Sequence, residues 1–371
     1  MMHADFYIPT HLFFGENALN KGKDMLTAAG RHAMLVTGKQ SARKSGALAD
    51  VTALLKDAAI TYTVFDGITE NPPLITCFEA GQLAAKEGAQ FLIGIGGGSP
   101  LDAAKAIAAF AANPSLSPED IFDDKKRTNP ALPIFAVPTT AGTGSEVNNY
   151  SVLTLPSGLQ KKTFKAPDSW PRAAFVDPRY TATMSNDTTL STALDAFAHA
   201  MESYLSPKST VFSENAALFA AREIFDVISA LPTTYDAEMR ARLALAATAG
   251  GMAISVTGTG FPHPLGYSLT LLDGIPHGRA CAVFAGDYIT YNEKNESGRA
   301  RIANFAAAIG AKPAVLKAFL PGVAGVSLSM TDDEIAQHVE LIAGAKNYAN
   351  SPYVISKEEI FEIYRAHFKT K

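Results

Sequence analysis

The first half of the chain alternates short apolar runs with amphipathic stretches, and this alternation restricts the fold more than any other feature. Four runs end in Gly, Asp, Pro or Thr and have the length of buried strands: HAMLVTG, TYTVFDG, FLIGIGGG and LPIFAVPTT. Helical stretches such as SGALADVTALLKDAA and PLITCFEAGQLAAKEG lie between them. Strands that alternate with helices form a parallel sheet covered on both faces. We therefore predict an α/β domain that binds its ligand at the carboxyl ends of the strands.

The second half has a different pattern, because strand signals stop after AAFVDP (Ala173 to Pro178). Helical periodicity dominates from there to the end, in TTLSTALDAFAHAMESYL, SENAALFAAREIFDVISAL, EMRARLALAATAGGMA and KEEIFEIYRAHF. A chain of 371 residues is long enough for two domains with substantial cores. We predict an α/β domain over residues 1–185 and an all-α domain over residues 186–371.

Composition excludes several classes of protein. The net charge is −4 and no basic cluster occurs, which argues against a nucleic-acid partner. The two cysteines, Cys77 and Cys281, are far apart and have no metal-site spacing, as expected in a reduced, cytoplasmic compartment. The stretch from Leu243 to Leu272 has no charged residue, but it is rich in Ala, Gly and Thr and contains two prolines. We predict a buried helix that runs into a loop, and no membrane span.

A glycine-rich turn follows the strand-like run FLIGI. The stretch GGGSPLDAAKA carries four small residues where a helix is expected to begin: Gly96, Gly97, Gly98 and Ser99. Glycine allows a ligand to approach the backbone closely, and the free N–H groups of a helix start attract phosphate. We expect Ser99 to cap the helix and Asp102 to point away and complete the cap. The match to G-x-G-x-x-G is imperfect, since Ser99 stands where a third glycine is usual.

A second loop of small residues follows the run LPIFAV. The loop PTTAGTGSEV offers the hydroxyl groups of Thr139, Thr140 and Thr143, which suit a pyrophosphate or a ribose. Two such loops at the ends of strands predict a dinucleotide site, although one tight turn alone is often only structural.

The helical half carries four side chains suited to a metal. Asp195 and His199 lie four residues apart on an apolar stretch, so they share one face of a helix that is expected to be buried. An isolated pair of this kind is commonly a surface hydrogen bond, but burial makes an unpaired polar pair unfavourable. His263 and His277, fourteen residues apart in FPHPLGYSLTLLDGIPHG, complete one carboxylate and three imidazoles. That set suits a borderline divalent ion such as Fe2+, Zn2+ or Mn2+. The other five histidines are expected at the surface: His3, His11, His32, His338 and His367.

The motifs GGGSPLDAAKA, PTTAGTGSEV, LDAFAHAMESY and IPHGRACA occur in this order, and with them the chain resembles the iron-containing (group III) alcohol dehydrogenase family. The resemblance covers nearly the whole chain. It implies a Rossmann-like dinucleotide-binding domain, an all-helical metal-binding domain and the dehydroquinate synthase-like architecture. It also implies that Asp195, His199, His263 and His277 bind the metal.

The same resemblance assigns residues to the cofactor. The turn from Gly96 to Ser99 is expected to hold the pyrophosphate, Thr139, Thr140 and Thr143 to line the cofactor, and Asn71 to lie near its ribose. Lys161 is expected to reach the cofactor, with Lys162 as the alternative in a shifted register.

Two positions depart from the family pattern. Members that prefer NAD tend to carry Asp where this chain has Gly38, which is followed by Lys39, Arg43 and Lys44. The missing carboxylate and the nearby cations favour the 2′-phosphate of NADP, with NAD as the alternative. Cys281 stands where Asn is common, and we interpret it as a packing residue.

The third departure concerns proton relay. Many members read H-x-x-x-H-P-L-G, in which the first histidine binds metal and the second assists proton transfer. If HPLG were aligned directly, Thr259 would occupy the metal position; if the spacing of fourteen is kept, His263 is the ligand and Tyr267 takes the relay position. We favour the second register because it preserves four ligands. A tyrosine of ordinary pKa near 10 is a weak base, so water and the ribose hydroxyls are expected to share the relay.

The predicted function is hydride transfer between a small alcohol and NADP, with the reverse reduction of an aldehyde. The alternatives on this fold are a dehydroquinate synthase-like lyase and a glycerol-type polyol dehydrogenase. Both are disfavoured, since the metal-site segments are apolar and Arg279 is their main cation. We expect a homo-oligomer, a dimer or larger.

Overall fold

The computed structural model describes residues 5–158 and 160–369. Within these residues there are eight strands: β1 His11–Phe14, β2 His32–Thr37, β3 Thr61–Phe65, β4 Phe91–Gly96, β5 Ile134–Pro138, β6 Tyr150–Thr154, β7 Lys161–Lys165 and β8 Ala173–Val176. The helices of the first half are α1 Ala18–Lys21, α2 Lys23–Thr27, α3 Ser41–Lys44, α4 Ala47–Asp57, α5 Leu74–Lys86 and α6 Gly98–Ala112. Those of the second half are α7 Asn186–Leu205, α8 Val211–Ser229, α9 Ala237–Thr257, α10 Pro262–Asp273, α11 His277–Ala282, α12 Ala285–Asn292, α13 Glu296–Ala308, α14 Pro313–Ala324, α15 Asp332–Ile342 and α16 Lys357–Phe368.

Six strands form one parallel sheet in the order β1-β8-β5-β4-β2-β3. The predicted α/β organisation followed by a helical half is confirmed, and the four predicted strand runs are β2, β3, β4 and β5. The sequence analysis missed β1 and the antiparallel pair β6–β7. β1 has only four residues, and the sequences YSVLT and KKTFK are too polar to register as apolar runs.

The sheet has a switch point beside β2. This strand pairs with β3 on one side and with β4 on the other, so the chain reverses its direction of travel across the sheet between them. The register places Thr37 opposite Ile95 and Gly96 opposite Pro138. The residues that follow β2, β4 and β5 therefore emerge together at one edge, which is where doubly wound sheets bind ligands.

Alternating strand residues fill two cores on opposite faces of this sheet. Leu92 of β4 packs with α5 and α6, whereas Ile93 packs with α4. Because β4 is buried on both faces, its sequence reads as a continuous apolar run.

The chain divides into two compact units, and one of them is discontinuous in sequence. The α/β unit contains residues 8–185 and also 235–251, which form most of α9. The helical unit contains the described residues 5–7, 186–234 and 252–369. Within the α/β unit, α9 lies against the PTTAGTGSEV loop, since a Cβ added to Gly251 would lie 2.5 Å from the Gly144 carbonyl oxygen. Glycine at both positions allows the two backbones to touch.

No single helix in the described ranges is long and apolar enough to cross a membrane, although the bent pairs α9–α10 and α13–α14 each reach that length and composition together. The uncharged stretch forms the end of α9, a short loop at residues 258–261 and most of α10, so the predicted helix enters a loop that is brief and is followed by a second helix. Pro262 occupies the first position of α10, where its fixed backbone angle favours a helix start.

Candidate functional site

The glycine-rich turn connects β4 to α6 as predicted, but its cap differs from the expectation. Gly96 has φ 151°, a conformation that favours glycine, and α6 begins at Gly98. Ser99 lies inside the helix, and its hydroxyl accepts a hydrogen bond from the Asn71 backbone N–H at 3.2 Å. Asp102 accepts from the Ser145 hydroxyl at 2.5 Å and from the Val152 N–H at 2.8 Å. The cap predicted from Ser99 and Asp102 was therefore wrong.

The loop PTTAGTGSEV (residues 138–147), the threonine loop, lies directly against this turn. The Thr139 N–H donates to the Gly96 carbonyl at 2.9 Å. A Cβ at Gly97 would lie 3.2 Å from the Thr140 hydroxyl, and one at Gly98 would lie 2.6 Å from Thr143. Any larger residue at Gly98 would separate the two loops, so they form one surface of glycine and hydroxyl groups. The Thr139 hydroxyl is buried and makes no hydrogen bond to any described residue.

A buried charged cluster holds the threonine loop from behind. Lys105 of α6 is fully buried and donates to the Ser145 hydroxyl at 2.7 Å and to the Tyr150 carbonyl at 2.6 Å. The Glu146 carboxylate accepts from the Thr248 hydroxyl of α9 at 2.7 Å. Burial lowers the pKa of Lys105 to about 8, although the charges of Asp102 and Glu146 act in the opposite direction. This network supports the loop through hydrogen bonds from α6 and α9.

Asn71 and Lys161 are brought to the same place by the two-stranded sheet. The Asn71 carbonyl accepts from the Thr154 hydroxyl at 2.9 Å, and Thr154 pairs with Lys161 across β6 and β7. Lys162 belongs to the other face of β7, and its ammonium group lies 4.1 Å from the centre of the Phe122 ring. The placement thus favours Lys161 over Lys162 as the lysine near Asn71.

Gly38 follows β2 at the carboxyl edge of the sheet, as its position in the motif predicts. A Cβ at this position would lie 3.2 Å from the Ile68 carbonyl oxygen, so there is room for a small side chain after a slight shift. Lys39 is exposed beside it. Arg43 forms an ion pair with Asp66 at 3.1 Å, a carboxylate that the sequence analysis did not consider.

The four residues expected to bind metal come together in the helical unit. The imidazole Nε2 atoms of His199, His263 and His277 lie 3.7, 3.5 and 3.7 Å from one carboxylate oxygen, Oδ1 of Asp195. Asp195 and His199 belong to α7, His263 to the first turn of α10, and His277 is the first residue of α11. Gly278 allows α11 to lie on α7, because a Cβ there would overlap the Ser191 carbonyl oxygen at 1.8 Å.

The cluster fits a divalent cation on two grounds. Asp195 and His263 are 4% and 2% exposed, yet the Oδ1 and Nε2 atoms that face each other make no hydrogen bond to a described residue. Buried polar atoms without a partner are costly, and a cation would satisfy them. Bonds of roughly 2.1 Å to a tetrahedral ion would separate the ligand atoms by roughly 3.4 Å, close to the distances observed.

The charges in the cluster reinforce this arrangement. Burial alone would raise the pKa of Asp195, but the neighbouring His199, His263 and His277 hold it well below its usual value. Burial opposes protonation of His263, but the carboxylates of Glu202 and Asp195 raise its pKa to about 10. With no cation bound, His263 is therefore protonated at neutral pH, and a metal bound at Nε2 would displace that proton.

Cys281 lies close to the same cluster. Its sulfur belongs to a group of potential ligand atoms, with Asp195, His263 and His277, that lie within 4.8 Å of one another. However, Sγ is 3.8 and 3.7 Å from the two ring nitrogens of His277. Nearly equal distances place the sulfur beside the ring rather than at the end of one nitrogen lone pair, consistent with packing.

Tyr267 lies one helical turn after His263 and stacks on His277. The two ring centres are 5.2 Å apart and the planes are inclined by 18°. Thr259, the alternative in the other register, is engaged elsewhere, because its hydroxyl accepts from the Asn347 amide at 2.7 Å. The geometry thus supports the register that keeps fourteen residues between the two histidines.

Glu202 is the residue of this site that the sequence analysis missed. It is fully buried on α7, and its carboxylate oxygens lie 2.8 and 2.9 Å from Nδ1 of His263. A signal was available, since Glu202 follows Asp195 by seven residues, which is two turns of an apolar helix. Burial raises the pKa of Glu202, and the charge of His263 opposes that rise.

One of the five histidines expected at the surface is buried. His338 lies 3.0 Å from the Ser268 hydroxyl and is 3% exposed. Burial lowers its pKa to about 4, so it packs as a neutral side chain against α10. His3 lies outside the described residues.

Two family models match the chain over most of its length. The model for iron-containing alcohol dehydrogenase matches residues 9–178, and the model for the C-terminal part of the Fe-containing alcohol dehydrogenase family matches residues 189–320. The chain belongs to the iron-containing alcohol dehydrogenase family. It is therefore an NAD(P)-dependent oxidoreductase that acts on CH–OH groups, as predicted.

Individual members of the iron-containing alcohol dehydrogenase family are similar along most of the chain. The 1,3-propanediol dehydrogenase of Citrobacter freundii is 32% identical over 78% of this chain and 75% of its own length. The NADPH-dependent butanol dehydrogenase of Clostridium saccharobutylicum is 31% identical over 78% of this chain and 74% of its own length. The crystal structure of an iron-containing alcohol dehydrogenase from Thermotoga maritima matches with a TM-score of 0.91 at 36% identity, covering 98% of this chain and 99% of that one. The dehydroquinate synthase-like architecture is thus confirmed, and the relatives named here are oxidoreductases rather than lyases.

Proposed function

We propose that this enzyme is a metal-dependent, NADP-preferring dehydrogenase of small alcohols that also reduces the corresponding aldehydes. The observation that supports it most is the convergence of three imidazole Nε2 atoms on the Asp195 carboxylate, in a cluster of which only His277 is partly exposed. In this proposal Asp195, His199, His263 and His277 hold Fe2+, with Zn2+ or Mn2+ as alternatives. A divalent ion held there supplies Lewis acidity toward the oxygen of the alcohol or aldehyde.

The cofactor residues are proposed to act as one surface. Gly96, Gly97, Gly98 and Ser99 bind the pyrophosphate through backbone N–H groups at the start of α6. Thr139, Thr140 and Thr143 donate hydroxyl hydrogen bonds to the cofactor. Asn71 lies near its ribose, and Lys161 reaches the cofactor. Gly38 leaves space for a 2′-phosphate, and Lys39 and Arg43 attract it. NAD remains the alternative cofactor.

A small, largely apolar alcohol is the proposed substrate, because the segments around the four ligands contain few charged side chains. A diol is the second candidate, since a relative at 32% identity is named as a 1,3-propanediol dehydrogenase. Cys77 and Cys281 are buried thiols that form no disulfide with each other, which supports a reducing, cytoplasmic setting for the enzyme. The homo-oligomer expected from the sequence stays a prediction.

The direct test is reduction of butyraldehyde by NADPH, followed as loss of nicotinamide absorbance. We expect turnover that disappears after treatment with a chelator and returns when Fe2+ or Zn2+ is added under anaerobic conditions. Parallel reactions with NADH and with 3-hydroxypropanal would rank the cofactors and the two substrate candidates. Full turnover after verified removal of the metal would contradict the proposed metal dependence.

Tyr267 is proposed to share proton relay with water and the ribose hydroxyls. In Tyr267→Phe the ring that stacks on His277 is kept and only the hydroxyl is lost, so metal content should not change. We expect turnover to fall by about tenfold, less than the roughly 10²-fold or more typical of a sole acid–base group. Turnover measured from acid to alkaline pH checks this result, with Tyr353→Phe as the control, whose hydroxyl donates to Glu359 at 2.7 Å. Identical pH profiles for Tyr267→Phe and the parent would remove Tyr267 from the relay.

A further inference from the structure

Glu202 makes contacts that go beyond packing. Its carboxylate lies between two groups that need an acceptor: Nδ1 of His263, at 2.8 and 2.9 Å, and the backbone N–H of Gly260, at 2.6 Å. The side chain is fully buried, so water does not compete for these hydrogen bonds. The short loop before α10 and the imidazole in the first turn of that helix are thus held by one side chain of α7.

The chemistry of these partners decides which nitrogen of His263 carries the proton. The Glu202 carboxylate accepts the hydrogen bond from Nδ1, so Nε2 is the nitrogen left for a cation, which would displace the proton there. That Nε2 is the atom directed at Asp195, 3.5 Å away. A carboxylate behind a metal-binding imidazole fixes its tautomer and its orientation and increases its basicity.

We propose that Glu202 is the positioning residue of the metal centre: it locks His263 in the tautomer and orientation that bind the cation. The inference rests on the proposed function, because it assigns a role toward the metal held by Asp195 and the histidines. Glu202 does not touch the substrate or the cation in this scheme. Its effect passes through the His263 ring and the Gly260 backbone.

The test is the affinity of the purified protein for Zn2+, measured by competition with a chromogenic chelator. Glu202→Gln keeps the size of the side chain. However, an amide has only one acceptor oxygen, so its NH2 group would face either Nδ1–H or the Gly260 N–H. We expect Zn2+ affinity to fall by about 10- to 100-fold, the range found for groups behind metal ligands. Glu202→Asp, which keeps the charge, should recover part of the loss. In the Co2+-loaded protein, the visible absorption bands should shift in Glu202→Gln, since the ligand geometry changes.

Two comparisons separate this role from a general loss of structure. Glu146→Gln removes another buried carboxylate, one that is bonded to Thr248 and not to a histidine. It should lower the thermal unfolding temperature without changing Zn2+ affinity. If Asp195→Asn abolishes Zn2+ binding while a folded Glu202→Gln binds as tightly as the parent, the role of Glu202 is wrong and the metal site stands. If the parent protein does not bind Zn2+, Co2+ or Fe2+ at all, the proposed function itself fails.

Discussion

Asp195→Asn is expected to remove the bound metal and to lower NADPH-dependent aldehyde reduction by about 10³-fold or more. The change keeps the shape of the side chain but removes the negative charge on which three imidazole nitrogens converge. Lewis-acid stabilisation by a metal ion amounts to several kcal/mol, and about 4 kcal/mol corresponds to a factor of about 10³ in rate. Elemental analysis of the dialysed protein and turnover with NADPH and butyraldehyde measure the two effects.

The control is a second aspartate that pairs with a histidine in the helical unit. Asp287 lies 2.7 Å from Nε2 of His367, both are partly exposed, and neither belongs to the cluster. Asp287→Asn should retain metal and turnover. A stoichiometric metal content together with parental turnover in Asp195→Asn would show that this carboxylate is not a ligand.

Gly38→Asp is expected to reverse the preference between the two nicotinamide cofactors. The new carboxylate would accept a hydrogen bond from the ribose 2′-OH of NADH and repel the 2′-phosphate of NADPH. Hydrogen bonds to charged groups contribute about 1.5–3 kcal/mol each. The loss of two such bonds, from Lys39 and Arg43, therefore predicts a shift of about 10²- to 10⁴-fold. The quantity to measure is the ratio of kcat/KM for NADPH to kcat/KM for NADH.

Gly38→Ala separates charge from size in this experiment. Both substitutions place a Cβ 3.2 Å from the Ile68 carbonyl oxygen, but only aspartate adds a charge. The alanine variant should keep the NADPH preference with a small loss in both reactions. A parent enzyme that prefers NADH, or an aspartate variant with an unchanged ratio, would contradict the assignment of Gly38.

The sequence was sufficient for those features that depend on local patterns. The buried strand β4 is apolar along its whole length, so both its existence and the turn after it were predictable. Asp195 and His199 were recognisable because a polar pair at helical spacing stands out in an apolar helix. The parallel sheet then explains why loops far apart in sequence meet, since parallel strands bring their carboxyl ends to one edge.

The missed features depend on contacts between distant segments. The strands β6 and β7 pair through backbone hydrogen bonds. Their sequences are polar, so they lack the apolar pattern by which a strand is recognised from sequence. His338 looked like a surface residue because its neighbours in sequence are polar, whereas its environment is set by Ser268, seventy residues away. Glu202 resembled an ordinary helix glutamate until His263 and Gly260 were seen beside it.

The segment from residue 235 to residue 251 has a consequence for synthesis of the protein. A nascent chain that has emerged from the ribosome only as far as residue 185 lacks part of its own α/β unit. Two residues that support the threonine loop have not yet been translated at that point. They are Thr248, whose hydroxyl donates to the buried Glu146, and Gly251, whose backbone contacts Gly144. The threonine loop therefore acquires its final support only after α7, α8 and most of α9 have been made, so this nucleotide-binding unit completes its folding late in translation.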